Sequence, residues 1–223
     1  MLYTLQAVRD NLRNKRGKRV FFLGKGDSLT SEARDFLTRE RIEILPAEQA
    51  RPERYRLLGG GYMEEKPEHM THLNAEYLVE KSHPRILFRG AVDTLEAELL
   101  LCCANTTGNI RAQLEEALRR SRTLLRNEVL DEPVKAETLG GMDEAALRQR
   151  SHRPQDFYGQ PHFMPEPTDS PILLQVNKAR CAARAAELYA VAACPSGRED
   201  LTRGFNRLSS FLYLIMIQLK KDG

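Results

Sequence analysis

Two arginines and a glutamate in the last quarter of the chain have the types and spacing of an anion-binding site. Arg180, Arg184 and Glu187 are four and three residues apart, so an α-helix places all three on one face. Alanines fill most positions around them and would let another molecule approach closely. Guanidinium groups are always charged and present fixed forks of N–H donors, which suit a polyphosphate. The alternative is a solvent-exposed face on which Arg184 pairs with Glu187.

Two further polar features accompany these arginines. Helical spacing puts Asp93 in one stripe with apolar or small residues at positions 86, 90, 97 and 100. A buried charge needs an opposite charge, and Arg180 is the candidate; alternatively, Asp93 faces a gap filled by solvent. The last predicted helix is apolar on nearly all sides, so we expect it at the centre of the fold. Asn206 and Arg207 stand at its polar start, where they could cap the helix or hold a ligand.

Composition narrows the class of protein. The chain has 223 residues, of which 41% are hydrophobic and 29% charged, as in a folded soluble protein of one large domain with at most a small appendage. No apolar run reaches the roughly 18 residues of a membrane span, and the first residues lack the apolar core of a signal peptide, so we expect a cytoplasmic protein. A net charge of +3 without tryptophan does not indicate nucleic-acid binding. The four cysteines form no CxxC pair, so neither disulfides nor a zinc knuckle are expected.

The chain is predicted to divide into a small front part and a helical main part. Residues 1–60 are predicted to form an α/β appendage, with helices at 5–14 and 31–41, strands at 20–23 and 42–46, and a hinge or mobile loop over 47–61. Residues 61–223 are predicted to form a helical bundle, with helices at 84–104, 109–131, 172–194 and 201–220 and a short one from Asp143. Residues 151–170 are predicted to form a long loop, of the kind that is often functional. The predicted fold class is mainly α, a helical bundle with a small N-terminal α/β appendage.

Five motifs in order resemble a known enzyme family. The segments 79–85 and 91–97, the helix with Arg180, Arg184 and Glu187, and the run Phe205–Ser210 are similar to the propanediol-utilisation type of ATP:cob(I)alamin adenosyltransferase. The ethanolamine-utilisation type is more similar still, sharing Thr71–Glu76, Ser151-His152 with Pro154, and His162 with Pro165. The resemblance covers nearly the whole chain from about residue 20 and implies a cobalamin-adenosyltransferase-like bundle.

Two features depart from the family pattern. The glycine-rich phosphate loop of the propanediol type has no clear counterpart, because Gly24–Ser28 lies far upstream and is better explained as a turn between a strand and a helix. The cysteine cluster of some ethanolamine-type enzymes is also absent, since residues 50–85 contain no cysteine. We therefore expect no tightly bound metal, although the five histidines could still meet in three dimensions.

The resemblance implies transfer of the 5′-deoxyadenosyl group of ATP to the cobalt of cob(I)alamin, with release of triphosphate. Cob(I)alamin is itself a strong nucleophile, so the protein needs cations and orientation rather than a nucleophile or a base. By the resemblance, catalysis depends on Arg184 and on an ion pair between Arg180 and Asp93. The residues implied in ATP binding are Lys66, Thr71, His72, Lys81, Arg85, Arg184, Glu187 and Asn206.

The resemblance also implies a corrinoid site and partners. Relatives place an apolar aromatic residue where it displaces the lower axial base of the corrinoid, and His162 or Phe163 occupies that position. Phe163 is the better choice because a histidine could itself coordinate cobalt, although Phe163 could equally be a core residue. Mg²⁺ would accompany ATP, and no nucleic acid or membrane is expected as a partner.

The implied assembly and setting are a homo-oligomer, with a trimer favoured, in the cytoplasm, in association with ethanolamine ammonia-lyase or a bacterial microcompartment. The alternative functions are a non-catalytic corrinoid carrier and a helical scaffold or interaction protein of a microcompartment. The arginine, glutamate and asparagine set argues against both, since a scaffold does not need a triphosphate cradle.

Overall fold

The computed structural model describes residues 1–15, 17–50, 55–194 and 197–222. It divides into two compact units, Met1–His83 and Pro84–Gly223. The division falls later than the boundary predicted after residue 60, because strands continue to Glu80 and pair with those of the front part. Among the described residues, no helix is both long and apolar enough to cross a membrane.

The first unit combines short strands with two helices. Its strands are β1 Leu2–Tyr3, β2 Arg13–Lys15, β3 Lys18–Leu23, β4 Ser28–Leu29, β5 Glu43–Pro46, β6 Tyr55–Leu57, β7 Tyr62–Met63, β8 Met70–His72 and β9 Tyr77–Glu80. Its helices are α1 Leu5–Asp10 and α2 Ser31–Arg39, with a 3₁₀ turn at Ala47–Gln49. Within the described residues, one sheet has the strand order β5-β3-β2-β7-β6-β9-β8, and β1 pairs with β4 separately.

The sequence explains the core of this unit. Thr30 caps α2, since its hydroxyl accepts a hydrogen bond from the Ala33 N–H at 3.3 Å. Ala33, Phe36 and Leu37 are buried on the inner face of α2, and Phe21 of β3 belongs to the same cluster. The predicted strands at 20–23 and 42–46 are confirmed.

Two local predictions for the first unit are corrected. The helix predicted to reach Asn14 ends at Asp10, and Arg13–Lys15 instead pairs antiparallel with β3. The hinge predicted over 47–61 contains the 3₁₀ turn, β6 and the turn before β7, while residues 51–54 of it lie outside the described residues.

The second unit is helical, and its long helices form a four-helix bundle. Its helices are α3 Pro84–Ala104, α4 Gly108–Val129, α5 Glu144–His152, α6 Pro154–Tyr158, α7 Pro171–Ala193 and α8 Glu199–Asp222. Helix α3 packs on α4 and α7, α8 packs on the same two helices, and α5 and α6 lie against α8. The apolar run Phe211–Ile217 is buried except for Tyr213, so α8 is central as predicted. The mainly α fold class with a small N-terminal α/β part is confirmed.

Candidate active site

A cavity of about 370 Å³ lies between α5, α7, α8 and the loop 159–170 of the second unit. The polar residues that line it are Ser151, His152, His162, Arg180, Arg184, Ser209, Ser210 and Tyr213. The structure thus brings both predicted arginines to one cavity. No acidic residue belongs to its described lining, so the cavity favours an anion.

Helix α7 positions the two arginines. Ser170 caps its start by accepting a hydrogen bond from the Leu173 N–H at 3.4 Å, and Pro171 fits the first turn. The Arg180 guanidinium is held by its neighbour, because its Nε and Nη2 donate to Asn177 Oδ1 at 3.1 and 2.9 Å. Arg184 is exposed and has no ion pair with any described residue, so its charge is available to a ligand.

The predicted ion pair between Asp93 and Arg180 is not formed between the described residues of this chain. Asp93 is exposed, and the Arg180 guanidinium bonds to Asn177 instead. Helix α3 is apolar on two sides, and its buried side carries Val92, Leu95 and Leu99. The stripe that contains Asp93 faces outward; Leu100 in that stripe is 48% exposed.

A chain of hydrogen bonds links α7 to the start of α8. The Asn206 amide donates to Glu187 Oε1 at 2.9 Å, and Arg207 Nη1 donates to Asn206 Oδ1 at 2.9 Å. These two bonds fix which way the amide points, since its nitrogen faces a carboxylate and its oxygen faces a guanidinium. Glu187 therefore orients Asn206 rather than pairing with Arg184, the alternative that the sequence left open.

The loop 159–170 is tied to α8 through Tyr213. The Tyr213 hydroxyl accepts a hydrogen bond from the Phe163 N–H at 3.3 Å and lies 3.0 Å from His162 Nδ1. His162 Nε2 lies 3.2 Å from the His152 carbonyl oxygen. Because a carbonyl only accepts, Nε2 carries the proton and Nδ1 accepts from Tyr213. Both ring nitrogens of His162 are thus occupied.

Phe163 borders a second, more apolar cavity of about 580 Å³, together with Met164, Pro165 and Met216. Its ring stacks on Tyr213 with centroids 6.0 Å apart, and the Lys220 ammonium lies 5.6 Å from its centroid. Lys220 also pairs with Asp169, and this hydrogen bond lowers the pKa of the Asp169 carboxyl. The second cavity shares His162, Arg180 and Tyr213 with the first, so the two cavities adjoin each other.

The other predicted ATP contacts are Arg85 in the second unit and four residues of the first unit. Arg85 pairs with Glu128 of α4 and also donates to its carbonyl at 2.8 Å, so its guanidinium is used inside the bundle and Arg85 does not line this cavity. The described contacts of the remaining residues lie within the first unit. Lys81 is 4.0 Å from Glu68, Lys66 lines a cavity of that unit, and β8 carries Thr71 and His72.

The remaining candidates for chemistry in the described part of the chain are metal ligands and thiols. No group of three or more His, Cys, Asp or Glu side chains is placed there to hold a metal ion. Burial first of all, and then the neighbouring Cys103 and Glu98, raise the pKa of Cys102 to about 12. A thiol with this pKa stays neutral and is a poor nucleophile or ligand at neutral pH.

Sequence reasoning missed the contribution of Tyr213, Ser210 and His152. Ser210 and Tyr213 follow Asn206 by four and seven residues, the spacing of one helix face. This periodic signal could have found them. His152 had no helical spacing signal, although it belongs to the motif Ser151-His152 with Pro154 that the chain shares with the ethanolamine-utilisation type.

The second unit is a helical bundle with an arginine-lined cavity beside its central helix. Sequence comparison gives the family of the chain. The model of the cobalamin adenosyltransferase family matches residues 61–219, so the chain belongs to that family. The resemblance inferred from the motifs is confirmed.

Named relatives are of the ethanolamine-utilisation type. The chain is 30% identical over 157 residues to corrinoid adenosyltransferase EutT of Salmonella typhimurium and 29% identical to EutT of Escherichia coli K12. Each match covers 68% of this chain and 59% of the relative, so the chain spans less than two thirds of the length of these curated relatives.

Solved structures share the fold. A variant of the PduO-type ATP:corrinoid adenosyltransferase from Lactobacillus reuteri, complexed with cobalamin and ATP, superposes with a TM-score of 0.56 at 16% identity. The match covers 69% of this chain and 91% of that one. At this identity the likeness concerns the fold alone.

Proposed function

We propose that the protein is an ATP:cob(I)alamin adenosyltransferase. The observation that carries the proposal is the pairing of Arg180 and Arg184 in one cavity whose described lining has no acidic residue, in a chain of the cobalamin adenosyltransferase family. In the reaction a bond forms between cobalt and C5′ of ATP, the bond from C5′ to the triphosphate oxygen breaks, and triphosphate leaves with the electron pair. The nucleophile belongs to the corrinoid substrate, so the protein supplies orientation and charge.

Arg184 is the proposed residue that stabilises the leaving triphosphate. Negative charge grows on the triphosphate as the C5′–O bond breaks, so a cation at this point contributes more in the transition state than in the ground state. Arg180 serves the same anion from one turn earlier, and its bonds to Asn177 keep the guanidinium from swinging away. Glu187 and Asn206, which are hydrogen-bonded to each other, are also proposed as ATP contacts.

Mg²⁺ is proposed to arrive with the nucleotide. Mg²⁺ is commonly held by substrate phosphates and water with one or two carboxylates rather than by a protein cage. The described residues contain no cage of three acidic, histidine or cysteine ligands, which fits such a mode. When bound, Mg²⁺ would neutralise part of the triphosphate charge.

The corrinoid is proposed to bind beside Phe163, in the apolar cavity next to Arg180. His162 is less suited to meet cobalt, because its Nε2 is protonated and its Nδ1 accepts from Tyr213. Tyr213 and the ion pair of Asp169 with Lys220 hold the loop that carries Phe163. The chain thus presents an apolar ring next to a cationic cavity, as the joining of a corrin and a nucleotide requires.

Several finer expectations rest on family similarity. Lys66, Thr71, His72 and Lys81 are proposed to contact ATP. The protein is proposed to act in ethanolamine utilisation in the cytoplasm, in association with ethanolamine ammonia-lyase or a microcompartment.

A homo-oligomer, with a trimer favoured, is also proposed. Helices α3 and α7 expose large apolar side chains, including Leu101 at 54% and Leu188 at 71%, of the kind that subunit contacts cover. Light scattering on the purified chain measures the assembly directly.

An anaerobic assay tests the proposed activity. Purified protein, chemically reduced cobalamin, ATP and Mg²⁺ should yield adenosylcobalamin and triphosphate. The loss of cob(I)alamin absorbance monitors the reaction. Omitting ATP is the control for spontaneous oxidation. If cob(I)alamin binds but no adenosylcobalamin forms, the enzyme proposal fails.

A further inference from the structure

A third cavity opens on the α5 side of the candidate active site. It measures about 580 Å³, and its polar lining residues are Glu144, Arg148, Gln149, His152, Arg153 and Arg207. Three guanidinium groups therefore share one cavity with a single described carboxylate. Like charges that line one cavity repel each other, and a bound anion would relieve this repulsion.

None of the three arginines forms an ion pair with a described residue. Arg207 Nη1 donates to Asn206, but its Nε is buried and has no hydrogen-bond partner in the described part of the chain. A buried donor without an acceptor is costly. Arg148 and Arg153 are exposed at the end of α5, where their side chains can reach a ligand.

This cavity adjoins the one that holds Arg180 and Arg184. His152 lines both. Arg207 is followed on α8 by Ser209 and Ser210, which line the cavity with Arg180 and Arg184. An anion long enough to pass His152 would contact the arginines of α7 and α5 together.

We infer that Arg148, Arg153 and Arg207 form a second phosphate subsite, which takes the far end of a polyphosphate chain. The inference rests on the proposed function: the subsite would hold the terminal phosphate of ATP and then the released triphosphate. Forked guanidinium groups bind phosphate oxygens in pairs. Three cations match a terminal phosphate with two charges better than the singly charged phosphodiester of a corrinoid nucleotide loop.

Calorimetric titration of the full chain with inorganic triphosphate tests the subsite without corrinoid. Arg148→Gln and Arg153→Gln should each weaken triphosphate binding by about tenfold or more, the scale of one charged hydrogen bond. Arg150→Gln is the matched control, because Arg150 lies on the same helix but its guanidinium is 5.6 Å from the Phe157 ring and lines neither cavity. It should leave the dissociation constant within about twofold, the effect of a distant surface charge. Thermal melts matched to wild type show that all three variants are folded.

Three results would overturn the inference. One is unchanged triphosphate binding in both α5 variants. Another is an equal loss in Arg150→Gln, which would indicate general charge alone. The third is a raised KM for cobalamin in the α5 variants while their triphosphate binding is unchanged. The KM for cobinamide, which lacks the nucleotide loop, would then stay at its wild-type value. A wild type that makes adenosylcobalamin while either of the first two results holds would retain the proposed function and lose only the subsite.

Discussion

Two corners of the helical bundle use arginine in opposite ways. Where α3 meets α4, Arg85 and Arg89 both converge on Glu128, whose side chain is 1% exposed; the Arg89 Nε lies 2.8 Å from its Oε2. Where α5, α7 and α8 meet, Arg180 and Arg184 line a cavity without an acidic residue in its described lining. The same residue type thus holds the fold in one corner and leaves its charge available in the other.

The difference shows that partners, rather than residue type or helical spacing, decide what an arginine does. Arg85 and Arg89 are four residues apart, as are Arg180 and Arg184, so the two pairs look alike in the sequence. The buried carboxylate of Glu128 on the neighbouring helix accepts hydrogen bonds from both arginines of the first pair. Variants at each corner separate a structural pair from a binding pair.

The largest expected effect is on stability at the α3–α4 corner. Glu128→Gln leaves two partly buried guanidinium groups without their counter-charge, so the free energy of unfolding should fall by about 3–5 kcal/mol. Urea unfolding measures it. Glu115→Gln is the control, because Glu115 pairs with Arg111 on the surface at 3.0 Å and should change stability by less than about 0.5 kcal/mol. Equal losses in both variants would mean that the Glu128 cluster is no more than a surface pair.

The next effect is on catalysis and concerns Arg184. Arg184→Ala should lower kcat by about 10²-fold with unchanged stability, since one electrostatic contact to the developing charge is lost. Arg184→Lys should recover part of the rate, because an ammonium keeps the charge but not the fork. Arg122→Ala is the control: Arg122 is an exposed arginine of α4 that pairs with Glu96 at 3.0 Å. Wild-type turnover in Arg184→Ala would show that this arginine is only part of an exposed helix face.

A smaller effect should follow from releasing the loop 159–170. Tyr213→Phe removes the acceptor of the Phe163 N–H and the donor to His162. One such bond contributes about 1 kcal/mol, so KM for cobalamin should rise about fivefold while kcat changes less. Tyr189→Phe, at an exposed position of α7, should leave both parameters unchanged. A fall in kcat with constant KM would instead give Tyr213 a role in the transfer step.

The smallest effect is the pH dependence of the same loop. The hydrogen bond from Lys220 lowers the pKa of Asp169, so the carboxylate stabilises the folded state above the ordinary carboxyl pKa. That contribution is lost as pH falls through the lowered pKa. Asp169→Asn should therefore lower Tm slightly at neutral pH, and the difference from wild type should vanish in acid. Asp156→Asn, at an exposed position of α6, should show no such pH-dependent difference.

The sequence predicted the bundle helices well because they are long and have clear signals. The helices predicted at 84–104, 109–131, 172–194 and 201–220 begin and end within two residues of the helices in the structure, and Asp143 caps α5. Strands of two or three residues, such as β6 and β7, were not predicted because so short a run has no period.

The candidate site was half predictable. Arg180 and Arg184, which line the cavity, were singled out because they lie one turn apart on a long helix in a recognisable motif. Asp93 was misplaced because α3 is apolar on both its buried and its exposed side, and hydrophobic periodicity alone does not tell which side the bundle covers. Arg85 looked like an ATP contact until its partner Glu128, far away in sequence, was known.

The central claim is that the corner of α5, α7 and α8 binds the nucleotide and that the α3–α4 corner does not. Hydrogen–deuterium exchange of the full chain with and without ATP and Mg²⁺ compares the two corners in one experiment. We predict slower exchange on ATP addition in peptides covering residues 177–188 and 206–213, with no change at residues 85–89 and 126–129. Protection at the α3–α4 corner as large as that in the cavity segments, or none in the cavity segments at saturating ATP, would contradict the account.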